Sequence, residues 1–167
     1  MKDKTLVLRP YTPADLPEMT SLWNQVIEEA NSFPWEETMD ITQAAAFFAK
    51  QTHSVVACMP DGKIAGCYIL HPNNEGRCAH TANASYGVLK KYRGRGIGRA
   101  LVKHSLETAA ECGFLGLQFN AVVATNEAAI ALYRSLGFHF IGTTPQGYRL
   151  GDGSFVDIYL FYKSLQK

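Results

Sequence analysis

Charged side chains are scarce: Asp, Glu, Lys and Arg make up 19% of the 167 residues, below the roughly one quarter usual for soluble domains. With apolar residues at 47%, that scarcity excludes a disordered, collagen-like or coiled-coil chain. No sign of charge predominates either, because 16 basic against 15 acidic residues leave a net charge of +1. No overall field therefore draws nucleic acid or an anionic membrane, and neither is expected as a partner. Long apolar runs are missing: the longest uncharged stretch, Cys112 to Asn126, is 15 residues. It is broken by Gly113, Gly116, Gln118 and Asn120 and falls short of the ~20 residues a membrane span needs. The start, Met1-Lys2-Asp3-Lys4, runs straight into Thr5-Leu6-Val7-Leu8-Arg9, too short an apolar run for a signal sequence, so no leader is expected. The four cysteines, Cys58, Cys67, Cys78 and Cys112, lack Cys-x-x-Cys spacing, and the five histidines complete no metal-ligand pattern. Reduced thiols in a cytoplasmic protein, with no metal, are the expectation.

What is present is about one domain's worth of chain, read as a single domain over residues 1–167. Thr5–Arg9 alternates like a strand, and Thr12-Pro13-Ala14-Asp15 is a helix start, a capping hydroxyl followed by proline. That helix carries Leu16, Met19, Leu22, Trp23, Val26 and Ile27 on one face and stops near Asn31-Ser32-Phe33-Pro34. A second helix is predicted over Asp40–Lys50, then a hairpin of Ser54–Met59 and Ile64–Leu70 around Pro60-Asp61-Gly62-Lys63. Beyond it come a strand over His80–Lys90, a helix over Arg99–Cys112, a strand over Leu115–Ala124 and a helix over Asn126–Leu136. Strands over Phe138–Gly142 and Ser154–Tyr162 close an order of β-α-α-β-β-β-α-β-α-β-β.

The most informative stretch is Val88 to Leu101, where a strand passes through Gly94, Gly96 and Gly98 into a helix. Glycines let backbone approach a ligand, and unpaired amides at a helix N-terminus point toward anions. A flexible turn beside a solvated basic face is the alternative. Charge favours the ligand: from Gly76 to Leu106 there is no acidic residue, while Arg77, Lys90, Lys91, Arg93, Arg95, Arg99 and Lys103 supply +7. Two phosphate binders fail on spacing. No glycine here is followed by the Lys-Ser/Thr pair of a nucleotide P-loop. The dinucleotide pattern, counted from Gly94, ends on Arg99 instead of glycine, and the expected downstream acid is absent.

If the strands ending near Val88 and Ala124 are parallel neighbours, their C-terminal ends share one sheet edge, where open α/β sheets bind ligands. The helix beginning at Asn126 then lies beside the glycine turn. Asn126 and Tyr133 are seven residues apart, two helical turns or about 10 Å, with Ala129 between them on the same face. On residues alone, Tyr133 is better read as a core aromatic with its hydroxyl at the rim.

The Arg93-x-x-Gly96-x-Gly98 turn followed by Asn126-x-x-Ala129-x-x-Leu132-Tyr133-x-x-x-Gly137-Phe138 resembles the GCN5-related N-acetyltransferases. The resemblance covers nearly the whole chain. It implies an α/β fold with a mixed, mostly antiparallel sheet, a central parallel β-α-β pair and flanking helices. It further implies acetyl-CoA as donor, CoA as product and a homodimer. By that resemblance Arg93, Gly94, Arg95, Gly96, Ile97, Gly98 and Arg99 hold the pyrophosphate and Val88 pairs with the pantetheine arm. Asn126 and Ala129 flank the cofactor, and Tyr133 protonates the leaving thiolate. A tyrosine with an ordinary pKa near 10 can do so without being ionised at neutral pH.

Within the family, Pro72-x-x-x-Gly76-Arg77-Cys78-x-His80-x-x-Asn83-Ala84 and Phe119-Asn120-x-Val122-x-x-Thr125-Asn126 resemble fungal acetyltransferases of azetidine-2-carboxylate and related proline analogues. That implies Asn83, Asn120 and Asn126 facing substrate and reacting carbonyl, with Asn83 in a catalytic role. Amides on central strands suit a polar cavity; surface-facing amides at strand ends are the alternative. Glu28, Glu29, Glu36, Glu37 and Asp40 surround Phe33-Pro34-Trp35, so Glu29 and Trp35 are expected at the amine, on an acidic rim or else a merely solvated loop. Glu28, Glu29 and His80 are the candidate bases, and none stands out. No Gly-x-Ser-x-Gly elbow or activated cysteine suggests a covalent acyl-enzyme. A small-molecule amine is the expected acceptor; a peptide or lysine acceptor, and a non-catalytic acyl-CoA sensor, are the alternatives.

Overall fold

A computed structural model describes residues 5–167, so the expectation about the leader, which rests on Met1–Lys4, lies outside the described residues. The strands are β1 Val7–Pro10, β2 His53–Cys58, β3 Ile64–Pro72, β4 Thr81–Val88, β5 Gly116–Val123, β6 His139–Arg149 and β7 Phe155–Ser164. The helices are α1 Leu16–Glu29, α2 Ile41–Ala49, α3 Ile97–Glu111 and α4 Glu127–Ser135. Among the described residues the strands form one sheet in the order β1-β2-β3-β4-β5-β7-β6, in which β4 and β5 are the parallel pair. This is the expected α/β architecture. No helix among the described residues is long and apolar enough to cross a membrane.

Alternation along the central strands builds a core on each face of the sheet. On β3, Ala65, Tyr68 and Leu70 join Leu101, Val102 and Ala109 of α3 on one side. The intervening Ile64, Cys67 and Ile69 meet Met19, Leu22, Trp23, Val26 and Ile27 of α1 on the other. The predicted apolar face of α1 is thus the buried one, apart from Leu16, which is only partly buried. Asp15 fixes the entry to α1: it closes a capping box with Thr12 and takes a two-pronged bond from Arg9 at 2.7 and 2.9 Å. That guanidinium pair holds the Asp15 carboxyl below its ordinary range.

The sheet opens where β4 meets β5. Their register covers only Thr81 with Gly116 and Ala82 with Leu117, after which β5 leaves toward β7 through an irregularity between Phe119 and Val122. The Leu89 amide donates to the Ala65 carbonyl, which makes Ala65–Leu89 a hydrogen-bonded antiparallel pair. The next pair, Gly66 and Val88, is therefore not hydrogen-bonded. Backbone groups of Val88, and in alternation Tyr86 and Ala84, face away from β3 into the gap β5 has vacated.

Of the boundaries that differ from the sequence reading, two bear on the site. The helix α3 begins at Ile97, not Arg99, because Gly96 adopts the left-handed conformation (φ 77°) and serves as its N-cap. The strand β6 runs on past Gly142 to Arg149. Pro145 hides this extension in the sequence, yet β6 is an edge strand, where proline is tolerated, and its register shifts between Thr144 and Tyr148.

Candidate active site

The turn before α3 has the conformation of an anion cradle. Gly94 and Gly96 both have positive φ, 74° and 77°, and a Cβ on either would meet nothing within 4 Å. The N-cap offers no side-chain bond. Among the described residues the backbone amides from Gly94 to Arg99 find no acceptor, and pairing resumes with the Ala100 amide on the Gly96 carbonyl at 3.1 Å. Six adjacent donors at a helix start are a site for phosphate oxygens. Gly98 adds a separate sign: its φ is not left-handed, and a Cβ there would touch only Leu132 Cδ2 at an ordinary 3.8 Å. None of the described residues requires glycine at that position, whereas a ligand lying against the turn would.

From this cradle a cleft of about 880 Å³ runs along the gap between β4 and β5 to the loop after α1. Val88, Arg93, Gly94, Gly96, Ile97, Gly98, Arg99, Asn126, Ala129 and Tyr133 all line it, so most of the expected cofactor residues are brought together. Arg95 does not line it; its guanidinium lies 5.5 Å over the Tyr92 ring. The cationic excess is also largely committed elsewhere. Arg93 donates to Glu29 through both terminal nitrogens at 2.6 Å and through Nε to the Val88 carbonyl at 3.0 Å. Arg99 donates to Ser135 at 2.7 Å. Val88 therefore keeps its amide, not its carbonyl, for a ligand. Amides more than side chains make this cradle.

Tyr133 sits midway along the cleft, its ring 4.3 Å from Phe119 and 5.6 Å from Phe138. Both readings of this tyrosine hold at once: the ring is core and the hydroxyl is at the cleft. The hydroxyl has no hydrogen-bond partner among the described residues, yet it is not sealed, since Trp23 Nε1 is the buried polar side-chain atom left without one. Burial pushes the phenol well above its usual pKa, so it stays protonated. Beside it Tyr86, absent from the sequence reading, stacks edge-on to Phe119. Ser105 Oγ gives its proton to the Val102 carbonyl at 2.7 Å, so Tyr86 is the donor in its 2.7 Å bond with Ser105. Burial holds that phenol neutral too.

Asn83 bridges the strands as they part, its Nδ2 donating to the Gln118 carbonyl at 2.9 Å, which leaves Oδ1 for the cleft. Asn120 stands on the rim and shares its amide with Asn73 at 2.6 Å and Gln118 at 3.1 Å. Asn126 is the N-cap of α4, its Oδ1 accepting from the Ala129 amide at 3.3 Å. Trp35 lines the cleft with Phe33, and both pack against Trp23 at 5.7 and 4.5 Å.

The acidic rim does not form. Glu29 is held by Arg93, Glu36 pairs with Arg149, Asp40 caps α2 through the Gln43 amide, and Glu28 and Glu37 are exposed; none of the five lines the cleft. His80 is exposed and outside it as well. The histidine that does line the cleft is His71, on β3 opposite Asn83. Sequence gave one clue to it, since it immediately precedes Pro72 of the quoted motif.

The loop after α1 is braced from the far end of the chain. The buried Tyr148 hydroxyl donates to the Phe33 carbonyl at 2.6 Å, Arg149 pairs with Glu36, and the Gly151 amide donates to the Ala30 carbonyl at 3.1 Å. At its other end Asn24 grips Met39 through both amide and carbonyl, at 2.9 and 2.8 Å.

Residues 19–138 match the model of the Acetyltransferase (GNAT) family. The chain belongs to that family and is an N-acetyltransferase, with acetyl-CoA as its cofactor. It is 32% identical over 165 residues to N-acetyltransferase aca1 of Schizosaccharomyces pombe, covering 87% of this chain and 78% of that one. It is 31% identical over 147 residues to the L-methionine sulfoximine/L-methionine sulfone acetyltransferase of Pseudomonas aeruginosa, covering 83% of each. A GNAT superfamily phosphinothricin acetyltransferase from Sinorhizobium meliloti, solved in complex with AcCoA, superimposes with a TM-score of 0.89 at 22% identity. That match covers 96% of this chain and 88% of the other, and at this identity the likeness is one of fold.

Proposed function

We propose that this protein transfers acetyl from acetyl-CoA directly to the amine of a small molecule, with a cyclic secondary amino acid of the proline-analogue type as the acceptor. The observation that carries the reading is the run of unpartnered amides from Gly94 to Arg99, opening onto one cleft with the free hydroxyl of Tyr133. The amides hold the pyrophosphate, and the backbone of Ala84, Tyr86 and Val88 pairs with the extended arm, as an added strand would. Bound there, the cofactor supplies a thioester carbonyl to an incoming nucleophile. Tyr133 donates its proton to the departing sulfur, and Asn126 orients the cofactor beside Ala129. The Asn83 carbonyl receives an N–H of the amine, while Trp35 and Phe33 wall its apolar part.

Several features favour a small acceptor. The cleft ends against an aromatic loop braced by Tyr148, and a relative acts on amino-acid analogues by its name. The Asn83 carbonyl, left toward the cleft, suits an amine N–H. The free thiols Cys58 and Cys67, both buried, fit a reducing, cytoplasmic compartment. Exposed Phe140, Ile141 and Phe155 on the β6–β7 edge support a homodimer through that face, which sedimentation checks. The whole chain is read as one domain.

The test has two arms. Thermal unfolding with acetyl-CoA, CoA, NADH and ATP is expected to rise for the first two alone; a ligand at about 100 times its dissociation constant adds roughly 2.7 kcal/mol. Acetylation of azetidine-2-carboxylate, L-methionine sulfone and a lysine peptide is then compared. Preference for the peptide, or turnover of primary amines with none of cyclic imino acids, removes the acceptor assigned here.

A further inference from the structure

An amine that attacks the thioester in its neutral form gains a positive charge and must shed an N–H proton, and the protein or a water has to take it. Among the described residues no Asp or Glu lines the cleft. The titratable groups that do are Arg93, Arg99, Tyr86, Tyr92, Tyr133 and His71. Guanidinium groups cannot serve, since they are always charged and have no acceptor. Tyr86 and Tyr133 are held neutral by burial, which makes them donors. Tyr92 lies under the cations of Lys91 and Arg95, beside the cradle. His71 is left, and it stands at the other end, opposite Asn83 in the β3–β4 register.

Its hydrogen bonding fixes its role. His71 Nδ1 is 2.8 Å from the Pro72 carbonyl oxygen. A carbonyl only accepts, so Nδ1 carries the hydrogen, and Nε2 of the neutral ring carries the lone pair. The ring is thereby oriented by its own backbone with the basic nitrogen unengaged among the described residues. The Asn83 carbonyl on the neighbouring strand cannot take a proton but can aim an N–H.

We propose that His71 is the general base of the acetyl transfer. As the amine nitrogen bonds to the thioester carbon, Nε2 takes the N–H proton. The carbon–sulfur bond breaks, and the sulfur takes the hydroxyl proton of Tyr133. His71 then releases its proton to solvent, from which Tyr133 recovers one. One proton leaves the amine and one arrives on sulfur, so the exchange balances with no further reactant. The assignment rests on the direct-transfer reading above and names the group that reading lacks.

The experiment compares wild type with His71→Gln and His71→Ala, using azetidine-2-carboxylate and L-methionine sulfone as acceptors. Both variants are expected to lose about 10²-fold or more in kcat, with acetyl-CoA affinity by calorimetry unchanged and added imidazole restoring part of the His71→Ala rate. Independent of turnover, nitrogen NMR of the free protein is expected to show the His71 ring protonated at Nδ1 and bare at Nε2. Variants within about threefold of the wild-type kcat, or the opposite tautomer, overturn the base while leaving the direct-transfer reading standing. A wild-type protein that binds acetyl-CoA but acetylates neither amine overturns the reading and the base together.

Discussion

Asn83 Nδ2 meets the Gln118 carbonyl at 2.9 Å one residue past the last parallel pair, Ala82 with Leu117, so a side chain completes the ladder where two backbones part. The bond both ends the β4–β5 pairing and fixes the amide that faces the amine. Asn83→Ala leaves the Gln118 carbonyl without its donor, and the expected loss is about 1 kcal/mol, a fall of roughly 2–4 °C in Tm for a chain this size. Acceptor KM is expected to rise about tenfold with acetyl-CoA affinity retained. Steady-state kinetics beside calorimetric titration of acetyl-CoA checks the split.

Two of the three glycines of the cradle, Gly96 and Gly98, answer to different causes and should fail differently. Gly96→Ala forces a Cβ into left-handed backbone and is expected to cost about 1–2 kcal/mol of folding stability. Gly98→Ala meets only Leu132 within the chain, so its Tm is expected to stay at the wild-type value while CoA affinity falls about tenfold or more. Thermal unfolding of the free proteins and titration with CoA measure the two quantities separately.

Removing the Tyr133 hydroxyl is expected to lower kcat about 10²-fold with the dissociation constant of acetyl-CoA unchanged, because the aromatic packing on Phe119 remains in Tyr133→Phe. Burial raises this phenol above its ordinary pKa. Its proton is therefore still available where a free tyrosine would be half ionised, and wild-type turnover is expected to hold as pH approaches 10. A decline in kcat near the ordinary tyrosine value counts against Tyr133 as the acid.

Stability at high pH reads a different tyrosine. Burial lifts the Tyr68 hydroxyl, which lies 3.1 Å from Thr108 Oγ1 and 2.8 Å from His104 Nδ1, to about 12. Between the unfolded value of about 10 and the folded one, the native state keeps a proton the unfolded chain has lost, so stability falls as pH rises. The contribution is whole below pH ~10 and is lost by pH ~12, about 2–3 kcal/mol for this residue. Denaturant unfolding across that window is expected to show a shallower slope in Tyr68→Phe.

Tyr148→Phe tests the brace on the amine wall. The change deletes one hydrogen bond to the Phe33 carbonyl, and a stability loss of about 1 kcal/mol is expected. Acceptor KM should rise while acetyl-CoA affinity stays the same, since no cradle residue touches the brace. Equal loss of both affinities would mean a general loosening.

Much of this was legible in the residues. The alternation of β3, the apolar face of α1 and the proline at its start dictate where those elements lie, because burial and capping act locally. The glycine turn was readable for the same reason: positive φ and free amides belong to a short stretch of chain. The amine side was not. Five acidic residues close in sequence read as a rim or as a solvated loop, and neither reading names Arg93 and Arg149, which claim Glu29 and Glu36. Tyr148 and Phe33 are 115 residues apart, and no periodicity records such a partnership. His71 is not legible in the sequence, because a histidine at a strand end gains meaning only when the strand beside it is known.

The brace from Tyr148, Arg149 and Gly151 also sets an order of manufacture. A chain leaving the ribosome has its whole donor half, from Val88 through Tyr133, in hand before the residues that steady Phe33 have been made. Choice of amine is thus the last property this protein acquires. A nick between β6 and β7 would loosen the amine wall while β7 stays paired with β5, whereas a stop there would take Phe161 from the core and the sheet with it.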